Sequence, residues 1–158
     1  MKYFRLNVRT RFTAAFLALA LVAGFAALTL SLSPSASVSA ASPLSGLHVT
    51  KECAAYTGAA GDFCTITSSD LAAIAVGSTV TYARAPDWDA HQLNSNIVLD
   101  DGAGNTAVGH CRLNLTTGLG QCTFSGGTGE LTGFHARVAV SNLGGPNFAW
   151  DGTYSFSP

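Results

Sequence analysis

The sequence predicts an all-β fold, a small antiparallel β-barrel of about eight strands. Between Val80 and Phe156, short segments of alternating apolar and polar residues follow one another almost without interruption. They are punctuated by turn chemistry at Asp100-Asp101-Gly102, Thr117-Gly118, Gly126-Gly127-Thr128-Gly129 and Gly144-Gly145-Pro146. No stretch in this region has the length and period of a helix. Eight is also the number of strands at which a closed barrel is just wide enough for a packed interior or one small ligand. Closure removes exposed strand edges, which matters in a chain with few charged residues to guard them.

Taken in order, residues 41–46 read as a loose arm and residues 47–53 alternate as a first strand. Residues 54–62, rich in Ala and Gly, form a loop, and residues 63–67 a short second strand. Ser68-Ser69-Asp70 followed by Leu71 and Ile74 suits the cap of a single helical turn. The third strand spans residues 77–84, with Val80 and Tyr82 on one face. A polar loop, residues 85–94, carries Pro86, Asp87, Trp88, Asp89 and His91. Residues 95–99 form the fourth strand and 100–105 a turn, and residues 106–115 and 119–124 make a hairpin. Residues 133–140 set Phe134, Ala136, Val138 and Val140 against His135, Arg137 and Ala139. In residues 147–156, Phe148, Trp150, Tyr154 and Phe156 share one face, and Asn147, Asp151, Thr153 and Ser155 the other.

The first 40 residues read as a targeting segment outside the fold. Lys2, Arg5, Arg9 and Arg11 precede an uncharged apolar run from Ala14 to Leu30, and Val38-Ser39-Ala40 suits signal peptidase. The expectation is cleavage near Ala40 and a secreted or periplasmic protein. It would have no stable membrane anchor, and its single barrel domain would be residues 41–158. No cysteine that could carry a lipid follows the apolar run closely, the first being Cys53. The remaining basic residues are Lys51, Arg84, Arg112 and Arg137. Four cations against nine acids give the barrel domain a net charge of −5, whereas the whole chain carries −1. An acidic domain without a basic cluster argues against nucleic acid as a partner. Sparse charge suits β-rich subunits that associate, so a homo-oligomer is a further expectation.

Four cysteines in an exported chain predict disulfides. Of the three connectivities, the two local ones, Cys53–Cys64 and Cys111–Cys122, are favoured, and the hairpin's strand faces bring Cys111 and Cys122 together on the inner side. A bulge at Gly118 would instead set Cys111 opposite Thr123. Zinc knuckles require a different spacing, and no metal is expected.

Motifs that carry chemistry are scarce. His48, His91, His110 and His135 are scattered without metal-ligand spacing, and no G-x-S-x-G elbow is present. Gly126-Gly127-Thr128-Gly129 lacks the Lys-Ser/Thr and helix of a phosphate loop. The Asp100–Asn105 segment lacks the alternating ligands and terminal Glu of a calcium loop. Both read as turns. Asn114-Leu115-Thr116 matches a glycosylation sequon in a segment that already serves as a turn. No cofactor is expected.

The motifs Ile74-Ala75-Val76-Gly77-Ser78, Val98-Leu99-Asp100, Gly109-His110-Cys111, Cys122-Thr123-Phe124 and Gly129-Glu130-Leu131-Thr132-Gly133-Phe134 occur in this order. The chain then closes on Trp150-Asp151-Gly152-Thr153-Tyr154-Ser155-Phe156. Over residues 65–157 this resembles the bacterial allene oxide cyclase barrel-like family, which is similar to plant allene oxide cyclases and dirigent proteins. The resemblance implies a calycin-like, eight-stranded barrel with a largely apolar cavity. It also implies oligomers that steer cyclisation or radical coupling.

With apolar faces turned inward, the strand His and Arg residues point outward. The interior is then lined by Tyr82, Phe124, Phe134, Trp150, Tyr154 and Phe156. Three functions follow: binding of a small hydrophobic molecule, a cyclase or isomerase that folds its substrate by orientation, or a structural barrel with a filled core. A cavity of a few hundred Å³ separates the first two from the third. A polar group buried in it points to the second.

Overall fold

The alternation read in the sequence becomes eight strands in a computed structural model, which describes residues 43–157. They are β1 (Ser45–Glu52), β2 (Phe63–Ser69), β3 (Thr79–Tyr82), β4 (Gln92–Asp100), β5 (Thr106–Asn114), β6 (Leu119–Gly127), β7 (Phe134–Gly144) and β8 (Asn147–Phe156). β4 shows the two-residue period most plainly: Leu93, Ser95, Ile97 and Leu99 are buried, and the residues between them are exposed. The strands form a closed barrel in chain order, each antiparallel to its neighbours. β1 meets β8 in unbroken register, with Val49 opposite Trp150. Closure leaves no free edge. The expected targeting segment, residues 1–40, lies outside the described residues; among the described residues no helix is long and apolar enough to cross a membrane.

Several element boundaries differ from the sequence reading, each for a local reason. The helical turn expected after Ser68 is a turn without a helix: Ile74 N–H donates to Leu71 O at 2.9 Å, and Ser69 Oγ accepts from Leu71 N–H at 3.2 Å. β3 has four residues instead of the eight expected. β4 begins at Gln92, because Asp87 and Gln92 exchange backbone hydrogen bonds of 2.8 and 2.9 Å and close the preceding loop. β6 runs on to Gly127, accommodated by a register shift between Ala107 and Gly109.

Both local disulfides form, Cys53–Cys64 and Cys111–Cys122. Cys111 lies directly opposite Cys122, so the turn at Gly118 adds no register slip. Asn114 Oδ1 sets that turn by accepting from the N–H groups of Thr116 and Thr117 at 3.0 and 2.9 Å. Two disulfides are compatible with an extracellular or periplasmic protein.

The strand order gives the barrel two dissimilar ends. At one end lie the β2–β3, β4–β5 and β6–β7 connections, and Ile74 and Leu131 are buried there as plugs. Phe134, Tyr154 and Phe156 pack together at this end, with ring centroids 5.5–6.2 Å apart. Trp150 fills the middle and meets Phe124 edge-on at 5.4 Å. The opposite end carries the β1–β2, β3–β4, β5–β6 and β7–β8 connections and both disulfides.

Candidate functional site

A cavity of about 160 Å³ opens at the disulfide end. Leu93, Leu113, Leu115, Val140 and Phe148 give it apolar walls. The four cystine sulfur positions stiffen its sides, and Trp88 borders its mouth. Trp88 is 59% exposed and lies against Gly58, where an added Cβ would come within 2.7 Å of the indole. With φ at +94° as well, this position suits glycine on two counts. The loop carrying Gly58 is pinned by Asp62, whose Oδ2 accepts from Thr57 N–H, Ala59 N–H and Thr57 Oγ1 at 2.6–2.9 Å. Those bonds, the Thr57 side chain first, hold the Asp62 carboxyl below its ordinary range.

The chemistry of the cavity lies in Lys51. On β1 the inward positions are Leu47, Val49 and Lys51, so the strand period that buries the first two also buries the lysine, which is 3% exposed. Its Nζ donates to the Tyr82 hydroxyl at 2.5 Å and stands 4.3 Å from the Trp150 ring centroid, within cation–π range. Among the described residues the only contact between a basic side chain and a carboxylate is His48–Asp151, on the outer wall, so Lys51 has no carboxylate partner. Loss of hydration without a counter-charge pulls the Lys51 pKa down to about 7. The same burial, followed by the charge of Tyr56, pushes the Tyr82 phenol up. Tyr56 packs edge-on against Tyr82 at 5.4 Å, and its own phenol is raised by burial and then by Asp62.

Of the six residues expected to line a cavity, Tyr82 alone borders it. Phe124 and Trp150 lie in the core beneath, and Phe134, Tyr154 and Phe156 form the aromatic layer near the plugged end. The structure therefore does not gather the six at one site. The cavity forms where the aromatic stripe gives way to Lys51 and smaller aliphatic side chains. Lys51, Tyr56 and the leucines were not among the expected residues. For Lys51 the signal was its phase with Leu47 and Val49.

The other candidates resolve as structure. His135, Arg112 and Arg137 point outward, as the inward apolar faces require. His110, also on the outer wall, contacts Asn96 and Asn94 side-chain oxygens at 2.9 and 2.7 Å. Asp101 is occupied by Ala75 N–H and the Ser78 hydroxyl, and Asp100 by Gly102 N–H, as the turn reading requires. No cluster of three His, Cys, Asp or Glu side chains suited to a metal occurs among the described residues.

Comparison with protein-family models, curated proteins and solved structures found no match.

Proposed function

We propose that this barrel binds a small apolar molecule bearing one polar head, with the head against Lys51 and Tyr82 and the body against the leucine wall. It does so as an exported protein. One observation carries the reading: a buried lysine, its amine paired only with a phenol, lines an apolar cavity. A methionine of similar length would fill the position without the desolvation penalty of an amine. A buried ionisable group in a cavity is a functional-site signature for that reason. At about 160 Å³ the space falls short of the few hundred Å³ that suit a drug-sized ligand. It matches the roughly 150 Å³ apolar cavity that accommodates benzene. The ligand class is thus a single ring or a short chain, with any longer tail leaving through the mouth.

The same buried polar pair favours a second reading, a cyclase or isomerase in which Tyr82 and Lys51 hold a polar atom while the walls orient the rest. That is also the activity implied by the resemblance to allene oxide cyclase barrels.

Calorimetric titration with toluene and with benzyl alcohol tests the binding. Both should saturate at one site per chain. The alcohol should bind about fivefold tighter, the worth of one hydrogen bond of about 1 kcal/mol. Lys51→Met should remove that preference and keep toluene binding. Absence of saturable binding by either probe would leave a filled structural barrel.

A further inference from the structure

We propose that Lys51 captures small apolar aldehydes as a reversible imine, with the Tyr82 hydroxyl holding the carbonyl oxygen. This inference names a ligand class for the cavity and rests on the binding reading above.

The geometry supplies each requirement. Nζ stands 2.5 Å from the Tyr82 hydroxyl and 4.3 Å from the Trp150 ring centroid, and Lys51 and Tyr82 both border the cavity. The titratable groups sharing the cavity with Lys51 are Tyr82 from β3 and Tyr56 from the β1–β2 loop, with Asp62 beyond Tyr56. Glu52, the next residue, is exposed on the outer face. No carboxylate therefore fixes the amine as an ammonium. A desolvated lysine of this kind is the nucleophile used for carbonyl chemistry. With its pKa near 7, about half of Lys51 is free amine at neutral pH. Tyr82 accepts from Nζ while the lysine is protonated, and once the amine lone pair is committed to the carbonyl carbon no other oxygen or nitrogen among the described residues competes for the hydroxyl proton. That proton is left for a ligand oxygen, and the raised phenol pKa keeps it in place.

The step balances without a further reactant. The Nζ lone pair forms a bond to the carbonyl carbon, and the carbonyl π pair moves to oxygen. One amine proton is transferred to that oxygen, which gives a neutral carbinolamine held by the Tyr82 hydroxyl. The second amine proton departs with the hydroxyl as water, and the nitrogen lone pair closes the C=N bond. Hydrolysis reverses the sequence, so capture is reversible. A cavity of about 160 Å³ restricts the aldehyde to a single ring or a short chain.

The chain contains two lysines, Lys2 and Lys51, so the modified site is readily assigned. The test incubates the full chain with benzaldehyde and sodium cyanoborohydride near neutral pH, followed by intact mass and peptide mapping. Toluene titration runs in parallel. One benzyl group should appear on Lys51, at a rate roughly tenfold or more above that of N-acetyl-lysine amide, whose amine is almost wholly protonated near pH 7. Tyr82→Phe should slow that reaction several-fold while toluene still binds. Lys51→Met should lose the benzyl group mapped to the Lys51 peptide, with any slow labelling of Lys2 and the N-terminal amine unchanged. Labelling of Lys51 no faster than the free amide, with toluene bound, overturns the imine and leaves the binding reading standing. Benzoate binding more tightly than toluene, together with slow labelling, also overturns it and makes Lys51 a counter-ion. Failure of both labelling and toluene binding overturns the imine and the binding reading together.

Discussion

Lys51 makes the stability of this barrel depend on pH in an unusual direction. Burial lowers its pKa from the ordinary 10.5 to about 7. Between those values the unfolded chain holds a proton that the folded chain does not, so stability rises with pH through this window. Below about pH 7 both states are protonated, and the folded state bears the full penalty of a buried ammonium. At about 1.4 kcal/mol per pH unit, the full span amounts to about 5 kcal/mol, a large share of the total stability of a small domain. Above about pH 10 the trend reverses. Tyr82 and Tyr56, both raised, keep protons that the unfolded tyrosines release, so the folded state loses stability there. Maximum stability is expected near pH 10.

The perturbation is Lys51→Met, and the assay is urea unfolding of the disulfide-intact protein at pH steps from about 6 to 10. Wild type should gain several kcal/mol across this range. The variant should lack that gain, because every other titrating group is common to both chains and cancels in the comparison. At low pH the variant should be more stable by up to about 5 kcal/mol, reduced by about 1 kcal/mol for the Tyr82 hydroxyl left without its partner. A flat wild-type profile between pH 7 and 10 would refute the reasoning. So would a rise that persists in Lys51→Met, which would assign it to another group.

Two further outcomes test the packing. Trp150 is 0% exposed at the barrel centre, so Trp150→Ala should cost about 3–5 kcal/mol in urea or thermal unfolding, while Trp150→Phe should cost much less, because the indole N–H it removes has no acceptor among the described residues. The double variant Cys111→Ala/Cys122→Ala should lose about 3 kcal/mol, the loop-closure value for a bridge of this span; a loss below about 1 kcal/mol would show that the bridge constrains the unfolded chain little.

The fold was legible because its information is local. Alternation within β4, β7 and β8 and glycine-rich turns between them specify a meander of antiparallel strands, and a meander of eight closes into a barrel. The disulfides were legible for the same reason, since each joins adjacent strands or their connection. Boundaries were less so: β4 gained three residues through the Asp87–Gln92 bridge, a pairing that composition does not announce. The site was legible least. The aromatic stripe of β8 identifies what fills the barrel, yet a cavity lies where filling stops. That place depends on which strand ends face each other across the barrel. Tyr82 and Lys51 are 31 residues apart and meet only after β1, β2 and β3 are set side by side. A lysine in phase with Leu47 and Val49 was the one local sign.

The position of the disulfides bears on why such a lysine persists. Both bridges lie at the open end and border the same cavity as Lys51, while the plugged end, with Ile74, Leu131 and Phe134 buried, carries no disulfide and is held by apolar packing and hydrogen bonds between its loops, such as Ala75 N–H to Asp101. A bridge over these short loops contributes about 2–3 kcal/mol. Two of them are comparable to the roughly 5 kcal/mol by which a protonated, buried Lys51 weakens the fold. They also stiffen the cavity walls, which preserves the open space against collapse onto the amine. An end of the barrel that is braced covalently and left unfilled around an ionisable group has the arrangement of a preorganised site, in which stability is given up at one residue and restored at its borders. Reduction of the bridges should therefore act on ligand affinity before it acts on the aromatic layer at the far end.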